Sequence, residues 1–223
     1  YFLRPGDSMK PITFSVDRIN DARSFSARRI QAFQEGEPIF SMIASFQTPA
    51  GGVEHTTPMP GGIPDPESLT ELPPGAEQVH PMSKRMLTDR PIEVRHVQPA
   101  IYLNPDPDAR PTNIAWMRAR WRLPDDPALH RAVLAYMSDH TIQESVLRAH
   151  GIAWTHPGIR VASLDAALWW HRPARVDEWL LYVQESPSAS SGRGLATGRI
   201  YTRDGVLVAT SAQEIVIRIP DAS

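Results

Sequence analysis

Alternation of apolar and polar residues marks most of this chain as strand. Residues 11–16 alternate around Ile12, Phe14 and Val16, and residues 24–33 and 39–46 follow, joined by the turn residues Glu35 and Gly36. Further on, residues 92–97, 114–123, 161–170, a long stretch 179–202 and residues 206–219 read as strands. Asp204-Gly205 is the hairpin signal between the last two. One stretch carries a helical period. Residues 127–150 predict a single long helix, with Asp125-Asp126 at its start, Pro127 in its first turn and Gly151 just past its end. Between 48 and 88 the periodicity fades. Pro49, Pro58, Pro60, Pro64, Pro66, Pro73, Pro74 and Pro81, with paired glycines at 51–52 and 61–62, predict an extended linker packed along a surface.

The two ends of the chain resemble each other. Arg4-Pro5, a strand, Ser26-Ala27-Arg28, a turn at Gly36 and a strand ending in Gln47 are matched by a second series. That series is Arg172-Pro173, a strand, Ser191-Gly192-Arg193, a turn at Gly205 and a strand carrying Gln213. Only the second copy has a helix before its strands. A helix followed by antiparallel strands, repeated, predicts an α+β fold of the double hot-dog kind, a curved antiparallel sheet wrapped around a long central helix. Residues 1–47 are then the C-terminal part of an incomplete first repeat, 48–88 the linker, and 89–223 the complete second repeat. A one-sheet ferredoxin-like fold would need a second helix that the pattern does not supply.

Composition narrows the chemistry. The net charge is −2, which gives no electrostatic reason to bind nucleic acid. Lys10 and Lys84 are the only lysines, so forked guanidinium groups or backbone N–H groups must hold any anionic ligand. The chain has no cysteine, which excludes a thiol nucleophile, disulfides and thiolate-bound metal, and fits a cytoplasmic location. No apolar run reaches the roughly 20 residues of a membrane span, and residues 1–5 do not form a signal peptide. The start on Tyr1 rather than methionine predicts a longer gene product. There is no G-x-S-x-G elbow, Walker loop or dinucleotide fingerprint, and no histidine pair at metal-ligand spacing.

Three polar residues stand on apolar rows. Steps of three and four along the helix place Asp139 with Ala132, Ala135, Ile142 and Val146. A carboxylate there is expected to be partly buried and to need a polar partner. The alternative is that Ser138 and Asp139 interrupt the helix and bond locally to its backbone. Gln213 shares a strand face with Leu207, Ala209, Ser211, Ile215 and Ile217, and a buried glutamine must bond to something. It reads either as a satisfied structural residue or as a partner of the helix carboxylate. Ser163 alternates with Val161, Asp165, Ala167 and Trp169, and by itself is an ordinary strand serine. Asp165 competes for the role of catalytic carboxylate, with Arg172 or Arg160 as its pairing partner. His171 is an acid/base candidate within the aromatic stretch Trp169-Trp170-His171-Arg172-Pro173.

Together these segments resemble the type II acyl-CoA thioesterase family of double hot-dog enzymes. The resemblance is carried by residues 1–7, 24–29 and 44–47, then by Tyr136-Met137-Ser138-Asp139, His150-Gly151-Ile152 and Ala162-Ser163-Leu164-Asp165. Residues 169–173, 188–191, 204–209 and Ala212-Gln213-Glu214 complete it. It implies a water-activating triad whose aspartate falls on Asp139, its hydroxyl residue on Ser163 and its glutamine on Gln213. Ile215 stands where the family usually has glycine, and Ala166 where it commonly has histidine. The family's leading strand and helix, which would complete the first hot-dog, are missing from this sequence.

The reaction so implied is hydrolysis of an acyl-CoA thioester to free fatty acid and CoA. Asp139 takes a proton from water that Gln213 and Ser163 hold, and no cofactor takes part. A thiolate of pKa about 8.5 leaves without a strong general acid. Arginines would hold the nucleotide phosphates of the acyl-CoA, and exposed sheet edges predict a homo-oligomer. Two rival readings are a hot-dog enoyl-CoA hydratase, which usually pairs its aspartate with a histidine, and a non-catalytic acyl-CoA-binding or assembly module.

Overall fold

The computed structural model describes residues 1–72 and 90–219. The chain divides into two compact units, Tyr1–His55 with Ser163–Asp165, and Thr56–Ala162 with Ala166–Ser223. Among the described residues no helix is long and apolar enough to cross a membrane.

In the first unit β1 (Thr13–Asp21), β2 (Phe25–Gln34) and β3 (Glu37–Gln47) form an antiparallel sheet in that order. Glu35 (φ 51°) and Gly36 (φ 83°) make the tight β2–β3 turn, the left-handed pair that a two-residue hairpin requires. β1 runs to Asp21, beyond the apolar alternation that ends at Val16. Its second half is charged and exposed, and is held by cross-strand pairs such as Asp17 with Arg29 at 2.7 Å.

The second unit contains a six-stranded sheet in the order β4 (Ile92–His96), β5 (Thr112–Ala119), β7 (Leu180–Ser190), β8 (Arg193–Thr202), β9 (Leu207–Arg218) and β6 (Arg160–Trp170). The pairs β4–β5, β5–β7, β7–β8 and β8–β9 are antiparallel. On one face lie α1 (Pro127–Ser138) and α2 (Glu144–Ala149). Leu134 and Met137 of α1, Val146 of α2 and Ile142 between the helices pack with Val94, Tyr182, Ile200 and Val208 in the main core. On the other face the proline-rich segment covers Trp116, Leu181 and Tyr201 with Met59, Ile63 and Leu69, and Trp116 donates to the Pro64 carbonyl at 2.9 Å. The remainder of the linker, residues 73–88, lies outside the described residues.

The resemblance between the two ends of the chain has a geometric counterpart. In the first unit the N–H groups of Leu3 and Arg4 both donate to the Ile39 carbonyl, and the Arg4 guanidinium bonds the Pro38 carbonyl at 2.8 Å. In the second, those of His171 and Arg172 both donate to the Val208 carbonyl, and the Arg172 guanidinium bonds the Leu207 carbonyl at 3.1 Å. Each Arg-Pro pair thus caps the start of the last strand of a three-stranded meander.

Two expectations are corrected. The helix read as continuous over 127–150 is two helices with a break at 139–143. Asp126 caps α1 as expected, accepting from the Ala128 N–H. At the other end Ser138 Oγ bonds back to the Ala135 carbonyl at 2.8 Å and the His140 N–H tightens onto Met137 at 3.2 Å. The run Ser138-Asp139-His140-Thr141 is poor in helix formers and satisfies its backbone locally, while the apolar residues Ile142 and Val146 keep the period going across the break. The second correction is at 179–202, read as one strand. It is a hairpin, turned at Ser191 (φ 52°) and Gly192 (φ 72°).

α2 is buried on nearly every side, so its polar side chains carry partners. Glu144 meets His96 at 2.8 Å. Arg148 bonds Asp106 at 3.0 Å, Asn113 at 3.1 Å and the Pro99 carbonyl at 2.7 Å. Asn113 in turn donates to Gln184, whose amide reaches Thr141 Oγ1 in the break.

Candidate active site

Asp139 is the C-cap of α1, so its backbone leaves the helix at the point where the last-turn carbonyls lose their intrahelical partners. The side chain is exposed, contrary to the partial burial expected of the row Ala132, Ala135, Asp139. The buried stripe of α1 is instead His130, Leu134 and Met137, because the helix turns those residues onto the sheet. The expected polar partner is present. Gln213, 3% exposed on β9, donates from Nε2 to Asp139 Oδ1 at 2.7 Å. The carboxylate can only accept, which orients the glutamine amide with its NH₂ toward Asp139.

The strand face read for Gln213 is buried as expected at Leu207, Ala209, Ser211 and Ile215. Ile215, on that face two residues beyond Gln213, is fully buried in the main core. Ser163 stands half-buried on β6, the strand beside β9, in the short stretch that groups with the first unit. The hydrogen bond described above joins the other two, Asp139 and Gln213. Asp165 is also half-buried on β6. His171 bonds Thr210 Oγ1 at 2.8 Å, and burial holds its imidazole below the ordinary histidine value.

Sequence reasoning missed the groups beneath Asp139. Tyr182 on β7 is fully buried. Its hydroxyl donates to the Ser138 carbonyl at 3.0 Å and meets Ser211 Oγ at 2.7 Å. Burial pushes the phenol well above its usual value and the Asp139 charge pushes the same way, so it stays neutral across the working range of pH. β8 lies between β7 and β9, and Gly198 on β8 makes the crossing possible. A Cβ there would sit 2.3 Å from Tyr182 Cε2 and 3.0 Å from Ser211 Oγ. The legible signal was a glycine inside a strand, which marks a close approach. Beside the site, His140 Nδ1 lies 3.1 Å from the Tyr136 carbonyl, and burial holds this imidazole below the ordinary histidine value. Among the described residues no group of three His, Asp or Glu side chains is placed to hold a metal ion.

An antiparallel sheet with helices packed on one face is the arrangement of a hot-dog fold. A structure from Alicyclobacillus acidocaldarius described as having the hot-dog fold superposes with a TM-score of 0.73 at 19% identity, covering 94% of this chain and 73% of that one, and shares the fold. The family model described as acyl-CoA thioesterase matches residues 85–216, and that of the acyl-CoA thioesterase N-terminal domain matches residues 1–47. Acyl-CoA thioesterase 2 of Haemophilus influenzae is 35% identical over 99% of this chain and 78% of its own length. Human acyl-coenzyme A thioesterase 8 is 36% identical over 98% and 72%. The crystal structure of the acyl-CoA thioesterase II TesB2 from Mycobacterium marinum superposes with a TM-score of 0.81 at 43% identity, over all of this chain and 80% of that one. The chain belongs to the acyl-CoA thioesterase family.

Proposed function

We propose that this enzyme hydrolyses acyl-CoA thioesters by direct attack of water on the acyl carbonyl, with Asp139 as general base and Gln213 and Ser163 as its partners. The observation that carries the reading is the 2.7 Å bond from Gln213 to Asp139, an exposed residue at the end of α1. In such a pair one carboxylate oxygen is held by the amide, and the carboxylate is positioned to accept a proton from an approaching water. Ser163 enters on the family resemblance alone. The leaving CoA thiolate is stable enough to depart without a dedicated acid, which suits a site of one carboxylate and neutral polar groups.

The test is release of free thiol from a panel of acyl-CoA esters. Asp139→Asn is expected to lower kcat by about 10² to 10⁴-fold, the usual worth of a general base, while the protein stays folded. A variant hydrolysing as fast as the parent would overturn the assignment. Assembly as a homo-oligomer belongs to the same reading. It is supported by apolar side chains that stand exposed on the first sheet, Phe14, Val16, Phe25 and Phe46 among them, and sedimentation velocity checks it.

A further inference from the structure

The hydroxyls of Tyr182 and Ser211 are both buried beneath the turn that carries Asp139. A phenol has one proton to give. Since Tyr182 donates to the Ser138 carbonyl, Ser211 must donate to Tyr182, and the chain runs Ser211 O–H to Tyr182 O–H to Ser138 C=O. The carbonyl it ends on belongs to the peptide that joins Ser138 to Asp139. Holding that oxygen fixes the peptide plane from which the Asp139 side chain departs.

The geometry on the strands makes this a two-point grip. Ser211 and Gln213 are successive inward-facing residues of β9. Through Tyr182 the first holds the backbone before Asp139, and the second holds its carboxylate. On β7 the residue two after Tyr182, Gln184, reaches Thr141 Oγ1 and so secures the far side of the same break. The break interrupts the regular hydrogen bonding of the helix, and these bonds hold the backbone and side chain at that point.

We infer that Tyr182 and Ser211 form a positioning device for the reaction, a hydroxyl relay that crosses β8 to hold the Ser138–Asp139 peptide so that the carboxylate meets Gln213. This rests on the reading of Asp139 as the general base.

The test uses the whole chain and steady-state thiol release, with folding followed by circular dichroism. Tyr182→Phe is expected to lower kcat by between about tenfold and about a hundredfold, the cost of a misplaced catalytic group, with KM within about twofold of the parent. Adding Tyr182→Phe to Asp139→Asn should leave the residual rate unchanged, because there is no base left to position. Tyr182→Phe with Ser211→Ala should be no slower than Tyr182→Phe alone. A folded Tyr182→Phe that keeps the parent kcat overturns the inference, and so does an equal further loss in the Asp139→Asn background. If Tyr182→Phe does not fold, Ser211 variants decide. Ser211→Ala must lower kcat and Ser211→Thr, which keeps the hydroxyl, must restore it, whereas an unchanged Ser211→Ala overturns the proposal. Full activity of Asp139→Asn would sink the base assignment itself, and a slow Asp139→Asn beside a normal Tyr182→Phe would sink the relay alone.

Discussion

Gly194 on β8 faces the middle of α2, and the contact there sets how closely helix and sheet approach. A Cβ at position 194 would lie 2.4 Å from Val146 Cγ1, 3.1 Å from Cγ2 and 3.3 Å from Cβ. Favourable carbon contacts lie at about 3.5–4.0 Å, so the nearest pair would have to separate by more than about 1 Å. Val146 cannot yield by rotation, because a β-branched side chain in a helix has essentially one χ1 rotamer. Gly194→Ala therefore forces α2 outward or valine off its rotamer, at about 1–3 kcal/mol. Alanine recovers about 0.5–1 kcal/mol of backbone entropy relative to glycine, leaving a net loss centred on about 1 kcal/mol. Val146→Ala alone loses two buried methyl groups and opens a cavity, at about 2–3 kcal/mol. In the double variant the new methyl enters the space the valine left, so it should be more stable than Val146→Ala alone by about 1 kcal/mol. Urea unfolding at constant m-value measures all four proteins. Simple addition of the two penalties, or a Gly194→Ala midpoint equal to that of the parent, would refute the argument.

Two further outcomes follow from buried charge. Arg148→Met removes the buried guanidinium from the Asp106 carboxylate, which is fully buried and held below its usual range against the opposing pull of burial by the Asp108 N–H, Arg110 and Arg148. A loss of about 3–5 kcal/mol is expected, and Asp106→Asn in the same chain should recover much of it, as read by thermal unfolding. Asp177 is buried, which would raise its pKa, but the Arg175 guanidinium and the Leu123 N–H outweigh that and bring it from 3.8 to about 2. Its folded value lies below its unfolded one, so its stabilisation is present above about pH 4 and is lost as pH falls toward 2. That amounts to at most about 2 kcal/mol. Asp177→Asn should flatten the stability profile in that window, and an unchanged acid limb would contradict the assignment.

Part of the candidate site is legible in the sequence. Gln213 broke an apolar row of period two, and the structure buries that row and turns the amide onto a carboxylate. Asp139 stands out in the sequence as a carboxylate on an apolar row. Its row was read as buried, but the helix ends at Ser138 and the carboxylate stays exposed at the cap. Periodicity could not show the break, because Ile142 and Val146 keep the apolar phase across it while Thr141 and Gln184 supply its polar fastening. The hairpin at Ser191-Gly192 was hidden similarly, inside a run of small residues compatible with an uninterrupted strand.

Properties that depend on neighbours in sequence were settled by the sequence itself. These are the alternation that makes strands, the Asp126-Pro127 start of α1, the turn at Glu35-Gly36 and the polar residues misplaced on apolar faces. Properties that depend on distant partners were decided only by the tertiary structure. Tyr182 reaches Ser138 and Ser211 because Gly198 leaves room on the strand between, and Arg148 can be buried because Asp106 and Asn113 arrive from elsewhere in the chain. Local preference is a short-range property of the backbone. A buried hydrogen bond exists only once the fold has brought its donor and acceptor within about 3 Å of each other.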